Sequence, residues 1–234
     1  MTTARDELTG VAGVVETMLD QALVDTLPAN DAPAPWTVTC SALVWNTLGG
    51  KAATAALPSG LRDDVSALNV TGGVVRYQDT PVGTYDEVFG AVGFRQGLGI
   101  RASVTFMAVD SPASLVGGRT NWAMPKTLAQ FGGSIESGST MTADSAAGTA
   151  WHVEAKPRAF GPAIPLISAF TVLQQFPSGE VKASKMNARG RGRAALIDVG
   201  VSADTSLPTW LRSGKHLGML VETMTFTLGE PRAV

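Results

Sequence analysis

Lys126 is the only ionisable side chain from Thr120 to Phe131, in the run Asn121-Trp122-Ala123-Met124-Pro125-Lys126-Thr127-Leu128-Ala129-Gln130-Phe131. Packing such a segment inside a protein disfavours the charged ammonium and lowers its pKa. A free amine in an apolar pocket is a nucleophile that attacks a ketone and forms a Schiff base. The plainer expectation is a lysine whose stem packs and whose head reaches water. Local composition alone favours the plainer one.

Glu87 is the second candidate. Strand alternation through residues 84–94 sets Tyr85, Glu87, Phe89 and Ala91 on one face and Thr84, Asp86, Val88 and Gly90 on the other. A carboxylate between Tyr85 and Phe89 that points into a lumen is placed for acid–base work. Each face carries an acid and apolar residues, so periodicity leaves the inward face open. Glu222, between Leu220 and Met224, is a weaker candidate of the same kind.

Other chemistries find less support. Gly190-Arg191-Gly192-Arg193-Ala194-Ala195 has dinucleotide-fingerprint spacing, but that motif must open a helix. Here the next residues, Leu196-Ile197-Asp198-Val199, read as a strand. Lys182, Lys185, Arg189, Arg191 and Arg193 form a basic stretch that reads first as a solvated hairpin and second as an anion site. One cysteine, Cys40, excludes an internal disulfide, and two histidines in unrelated contexts, His152 and His216, make a histidine metal site unexpected.

These residues must be held by something. The 234-residue chain is 44% hydrophobic and only 16% charged, against roughly 25% in an average globular protein, which excludes a disordered chain. A net charge of -2 gives no bulk attraction to nucleic acid or anionic lipid. The uncharged stretches 32–50 and 159–179 approach membrane-spanning length but are broken by prolines and amides. Asp6 and Glu7 stand where a secretory leader would be basic. A soluble, cytoplasmic protein is expected.

One amphipathic helix is predicted through Leu8, Val11, Val15, Met18, Leu19, Ala22 and Leu23, stopped by Pro28. Beyond a connector at 30–35, short β-type runs follow at 36–45, 74–77, 84–94, 100–109, 150–155, 166–176, 181–188, 194–202 and 220–228. Turns are expected at Thr71-Gly72-Gly73 and Phe131-Gly132-Gly133. Two non-strand segments, 111–130 and 207–214, interrupt the series, with Pro208 able to open a short helix. The fold class is α+β, β-dominated and largely antiparallel, with residues 1–30 as helix and connector and 31–234 as one domain.

Two segments together resemble the acetoacetate decarboxylase family. Thr80-Pro81-Val82-Gly83-Thr84-Tyr85-Asp86-Glu87 is similar to its strand carrying an active-site glutamate. Gly117-Gly118-Arg119-Thr120-Asn121-Trp122-Ala123-Met124-Pro125-Lys126 is similar to the segment whose lysine forms the Schiff base. Acetoacetate decarboxylase is itself the usual instance of a lysine activated in this way. The resemblance covers residues 34–231 and implies a cone-like β-barrel with peripheral helices, assembled as a homo-oligomer. It implies that Lys126 is the nucleophile, Glu87 the acid–base group, and Tyr85, Phe89, Arg119, Trp122 and Met124 the substrate contacts. The implied partner is a small keto acid, and the iminium serves as electron sink without metal or organic cofactor.

Three departures stand out. Thr127 replaces a second lysine, Thr120 replaces the acid after the family arginine, and residues 36–44 carry no charge to match an N-terminal active-site arginine. They favour a general Schiff-base lyase, decarboxylating or performing aldol or dehydration chemistry, over acetoacetate decarboxylation as such. The alternative from another class is a binding barrel that keeps the cavity without turnover.

Overall fold

The computed structural model describes residues 4–97 and 99–234, with side chains from Glu7 onward. Ten strands form one sheet: β1 (Trp36–Leu48), β2 (Ala67–Asp79), β3 (Tyr85–Gln96), β4 (Gly99–Val109), β5 (Lys126–Gly133), β6 (Met141–Ser145), β7 (Trp151–Gln175), β8 (Val181–Ala203), β9 (Gly214–Leu228) and β10 (Arg232–Ala233). They pair in the order β10-β8-β7-β6-β5-β4-β3-β2-β1-β9, and β8 also pairs with β9, which closes the sheet on itself. The expected β-dominated, mainly antiparallel barrel is what forms.

Two parallel contacts, both made by β4, break the antiparallel pattern, and the first matters for the site. β4 and β5 run parallel, joined by helix α5 (Pro112–Trp122) as a crossover. Farther back, β4 meets β7 directly at Ala102 and Val172, so β5 and β6 widen only one end of the ring. Among the described residues no helix is long and apolar enough to cross a membrane.

Each central strand buries both faces, which is why alternation could not choose between them. On β3, Val88, Val92 and Phe94 pack in a core with Leu43, Trp45, Phe106, Trp151 and Ile197. Helix α3 (Lys51–Ala56), helix α4 (Ser59–Arg62) and helix α6 (Leu207–Trp210) cover that core with Ala53, Leu57, Leu61, Leu207 and Trp210. The opposite face, with Tyr85, Phe89 and Ala91, joins a second core that includes Trp36, Val38, Cys40, Val75, Tyr77 and Val104.

Several sequence expectations are corrected. The single N-terminal helix is instead α1 (Ala4–Thr9), a 3₁₀ turn over Val15–Thr17, and α2 (Gln21–Val24). Tertiary contact overrides local amphipathicity: the amide of Val14 donates to the carbonyl of Thr105, 3.0 Å away. The Thr71-Gly72-Gly73 turn is the middle of β2, where the glycines make room for rings. A Cβ on Gly72 would lie 2.4 Å from the Trp45 indole, and one on Gly73 2.4 Å from the Phe89 ring. Phe131-Gly132-Gly133 likewise ends β5. The runs at 150–155 and 166–176 are one strand, β7, which carries Pro157, Pro162 and Pro165 past a register shift between Phe160 and Ile164. The runs at 181–188 and 194–202 are also one strand, and the Gly190–Gly192 fingerprint sits inside it, so no helix follows it.

Candidate active site

The α5–β5 connection places the lysine. Ser111 caps α5 by accepting from the amide of Ser114 at 3.2 Å, and Pro112 fits the first turn, where its missing N–H costs nothing. The helix ends at Ala123 in the left-handed region (φ 51), whose amide donates to Arg119 O at 2.9 Å while that of Met124 donates to Gly118 O at 3.1 Å. The chain then turns straight into β5, and its first residue, Lys126, pairs with Met107. The lysine stem runs back across α5 at Gly118, where a Cβ would lie 2.6 Å from Cδ and Cε.

Glu87 arrives from β3. Its Oε2 lies 2.9 Å from Lys126 Nζ, and the two side chains are 4% and 6% exposed. Tyr77 of β2 donates its hydroxyl to Glu87 Oε1 at 3.1 Å. Lys126 Nζ also donates to Ser114 Oγ at 2.8 Å and lies 5.1 Å from the Tyr85 ring centroid. The Tyr77 and Tyr85 rings stack with centroids 4.4 Å apart. Lysine and glutamate, 39 positions apart in sequence, thus share one buried polar cluster whose other members are two tyrosines and a serine.

That cluster opens on a cavity of about 540 Å³ lined by Lys126, Glu87, Tyr85, Phe89, Trp122 and Met124, together with Tyr77 and many aliphatic side chains. Arg119 does not line it, and the expected substrate contact is corrected. Its guanidinium is buried, donating to Lys126 O and Leu8 O, each at 2.6 Å, and to Thr17 O. Burial pulls the Arg119 pKa down to about 9, which leaves it charged at neutral pH. Glu222 faces away too, in an ion pair with Arg193 at 3.0 Å.

The ionisation of Lys126 also differs from the sequence expectation. Burial acts to lower its pKa, but the Glu87 carboxylate, Tyr85 and their hydrogen bonds outweigh burial, and the net direction is upward. Thr127, buried beside it, supplies no second positive charge to oppose this. The resting amine is therefore an ammonium paired with Glu87. Burial, then the charge of Glu87, pushes the Cys40 thiol up to about 12.

Tyr77, Ser114 and Gly118 escaped the sequence reading. Tyr77 reaches Glu87 through cross-strand register, in which Tyr77 pairs with Tyr85 and Val75 with Glu87. No local pattern encodes that neighbour.

Comparison with known proteins follows the same lines. The family model for acetoacetate decarboxylase matches residues 25–176. Acetoacetate decarboxylase from Legionella pneumophila superposes with a TM-score of 0.60 at 15% identity, over 92% of this chain and 96% of that one. An acetoacetate decarboxylase-like enzyme from Sphingomonas wittichii RW1 gives 0.62 at 17% identity, over 95% and 100%. The enduracididine biosynthesis enzyme MppR, complexed with the condensation product of pyruvate and imidazole 4-carboxaldehyde, gives 0.62 at 12% identity, over 86% and 90%. At such identities the likeness is one of fold. No curated protein matches the sequence.

Proposed function

The chain belongs to the acetoacetate decarboxylase family, and from that premise we propose that it is a Schiff-base-forming carbon–carbon lyase acting on a keto acid. Lys126 is the nucleophile and Glu87 the proton carrier. The observation that carries this is the 2.9 Å contact between a buried amine and a buried carboxylate in an apolar cavity. One proton passed along that contact turns the ion pair into a neutral acid and a neutral amine, the form that can attack a carbonyl.

The amine nitrogen then adds to the ketone carbon and passes one of its own protons to the oxygen; the acid returns a second, and the oxygen leaves as water. The protonated imine accepts the electron pair of the breaking carbon–carbon bond. Glu87, aligned by Tyr77 and reprotonated from solvent water, protonates the resulting enamine carbon. Because the iminium holds the electrons, this sequence calls for no metal or organic cofactor.

The same proposal takes residues 31–234 as the barrel domain and a homo-oligomer in the cytoplasm as the working form. The alternative, a binding barrel without turnover, draws on the resting ammonium and on the uncharged cavity face of β1.

One experiment separates the two. The protein is incubated with a keto acid, treated with borohydride, and mapped by mass. A single reduced adduct at Lys126, absent from Lys126→Ala, supports the lyase. Labelling spread over Lys51, Lys156, Lys182, Lys185 and Lys215, or none at all, leaves the binding barrel.

A further inference from the structure

Lys126 and Glu87 occupy one end of the cavity, and Arg101 is its only other acidic or basic wall residue among the described residues. Met107 pairs with Lys126, and Arg101 lies six residues earlier on β4. At about 3.3 Å per residue their backbones are roughly 20 Å apart, and the Arg101 guanidinium turns away from the lysine, donating to Ile100 O at 3.3 Å. A small keto acid with its carbonyl at Lys126 therefore cannot reach Arg101, and its carboxylate meets no cation besides the lysine itself.

Size points the same way. At about 30 Å³ per heavy atom, the share a water takes in the liquid, the cavity of about 540 Å³ holds on the order of eighteen heavy atoms. A four-carbon keto acid has seven. The remaining space would be water against Val38, Val75, Val104, Val172, Ala188 and Val221, all of them buried wall residues. Apolar walls of this kind bind by removing apolar surface from water, not by fixing a charge. At the rim, Ile100, Ile167 and Phe170 are exposed and continue the apolar lining outward.

Resting on the Schiff-base reading, we propose that the substrate is a keto compound bearing an apolar chain of roughly eight carbons or more. Its carbonyl lies at Lys126 and its chain runs along β4 toward Arg101. The chain supplies the binding energy that charge recognition supplies for a small keto acid.

A homologous series tests it. Borohydride trapping at Lys126 is titrated with 3-oxobutanoate, 3-oxooctanoate, 3-oxodecanoate and 3-oxododecanoate. Each added methylene contributes about a threefold to fourfold gain in affinity, so half-saturation falls about a hundredfold between the four- and eight-carbon acids. Equal half-saturation across the series, or exclusion of the longer acids, overturns the proposal.

Non-covalent binding separates this result from failure of the imine chemistry. In Lys126→Met with Glu87→Gln, which neutralises both partners at similar volume, 2-decanone should still alter the fluorescence of the cavity-lining Trp36 and Trp122, whereas 2-butanone at equal concentration should not. That outcome with no adduct at any chain length sinks the lyase and keeps the chain assignment. No chain-length dependence in either protein sinks the chain assignment.

Discussion

At the residue scale, the pairing of Lys126 with Glu87 sets the pH behaviour. Burial lowers the lysine pKa and Glu87 is the largest influence raising it, so Glu87→Gln leaves burial opposed by Tyr85 alone. Imine trapping in Glu87→Gln should therefore reach half its plateau at a lower pH than in the parent, while turnover falls by about 10²- to 10⁴-fold as the proton carrier is lost. A midpoint at or above that of the parent would show that Glu87 does not hold the ammonium. The sign for stability follows from the same shift. The folded pKa of Lys126 lies above its ordinary 10.5, so the pair stabilises the fold below that pH and its contribution is lost as pH rises through the raised value. Cys40 is held as a thiol by burial and by the charge of Glu87, up to about 12. It should resist alkylation at pH 8 in the native protein and react at once in denaturant, as the thiolate is the reactive form; rapid native alkylation would contradict its burial. Lys126 is legible in sequence as the one ionisable residue of its segment, whereas Glu87 is marked only by Tyr85 and Phe89 on its face, with Asp86 beside it. Tyr77 is not legible, because only strand register brings its hydroxyl to the carboxylate.

At the element scale, α5 and the turn into β5 carry the nucleophile. Gly118→Ala should keep the melting temperature within a few degrees, since alanine gains about 1 kcal/mol over glycine inside a helix. The added Cβ would meet Lys126 Cδ and Cε at 2.6 Å and push Nζ off Glu87. A displacement of about 1 Å costs on the order of 10²-fold in rate, and trapping at the parent rate would show that the stem yields freely. Arg119→Ala strips donors from three buried carbonyls. A loss of about 3 kcal/mol or more is expected, with proteolysis starting between Gly10 and Thr17; unchanged stability would mean that water replaces the guanidinium. This latch also accounts for the misread N-terminal helix. The periodicity of Leu8 through Leu23 is real, but Leu8 O and Thr17 O both turn to Arg119, which a continuous helix would not allow. The sequence shows the apolar spacing and hides a partner more than a hundred residues away.

At the scale of the whole molecule, the succession of short β-type runs signalled many strands, but closure through β8 and β9 was invisible because it joins strand edges, whose backbone hydrogen bonds no side-chain pattern marks. The β7–β8 arm leaves Phe160, Ile164, Ile167 and Phe170 at 41% to 81% exposure, more apolar surface in one place than a monomer usually shows. Light scattering should return a multiple of the 24.2 kDa chain mass, and a species of that single mass at every concentration would refute the oligomer. Helix α5 also grips both ends of the polypeptide. Arg119 holds Leu8 and Thr17, and Trp122 donates its indole N–H to Gly229 O at 2.8 Å while its ring packs edge-on against Trp36. During synthesis, every group of the polar cluster is made before strands β6 to β9. The helix that aims the lysine still lacks its C-terminal hold at that stage, and an interrupted chain keeps the nucleophile in sequence but not its seat. A truncated product should thus be inert toward cellular carbonyls, with reactivity appearing only when the last strand docks.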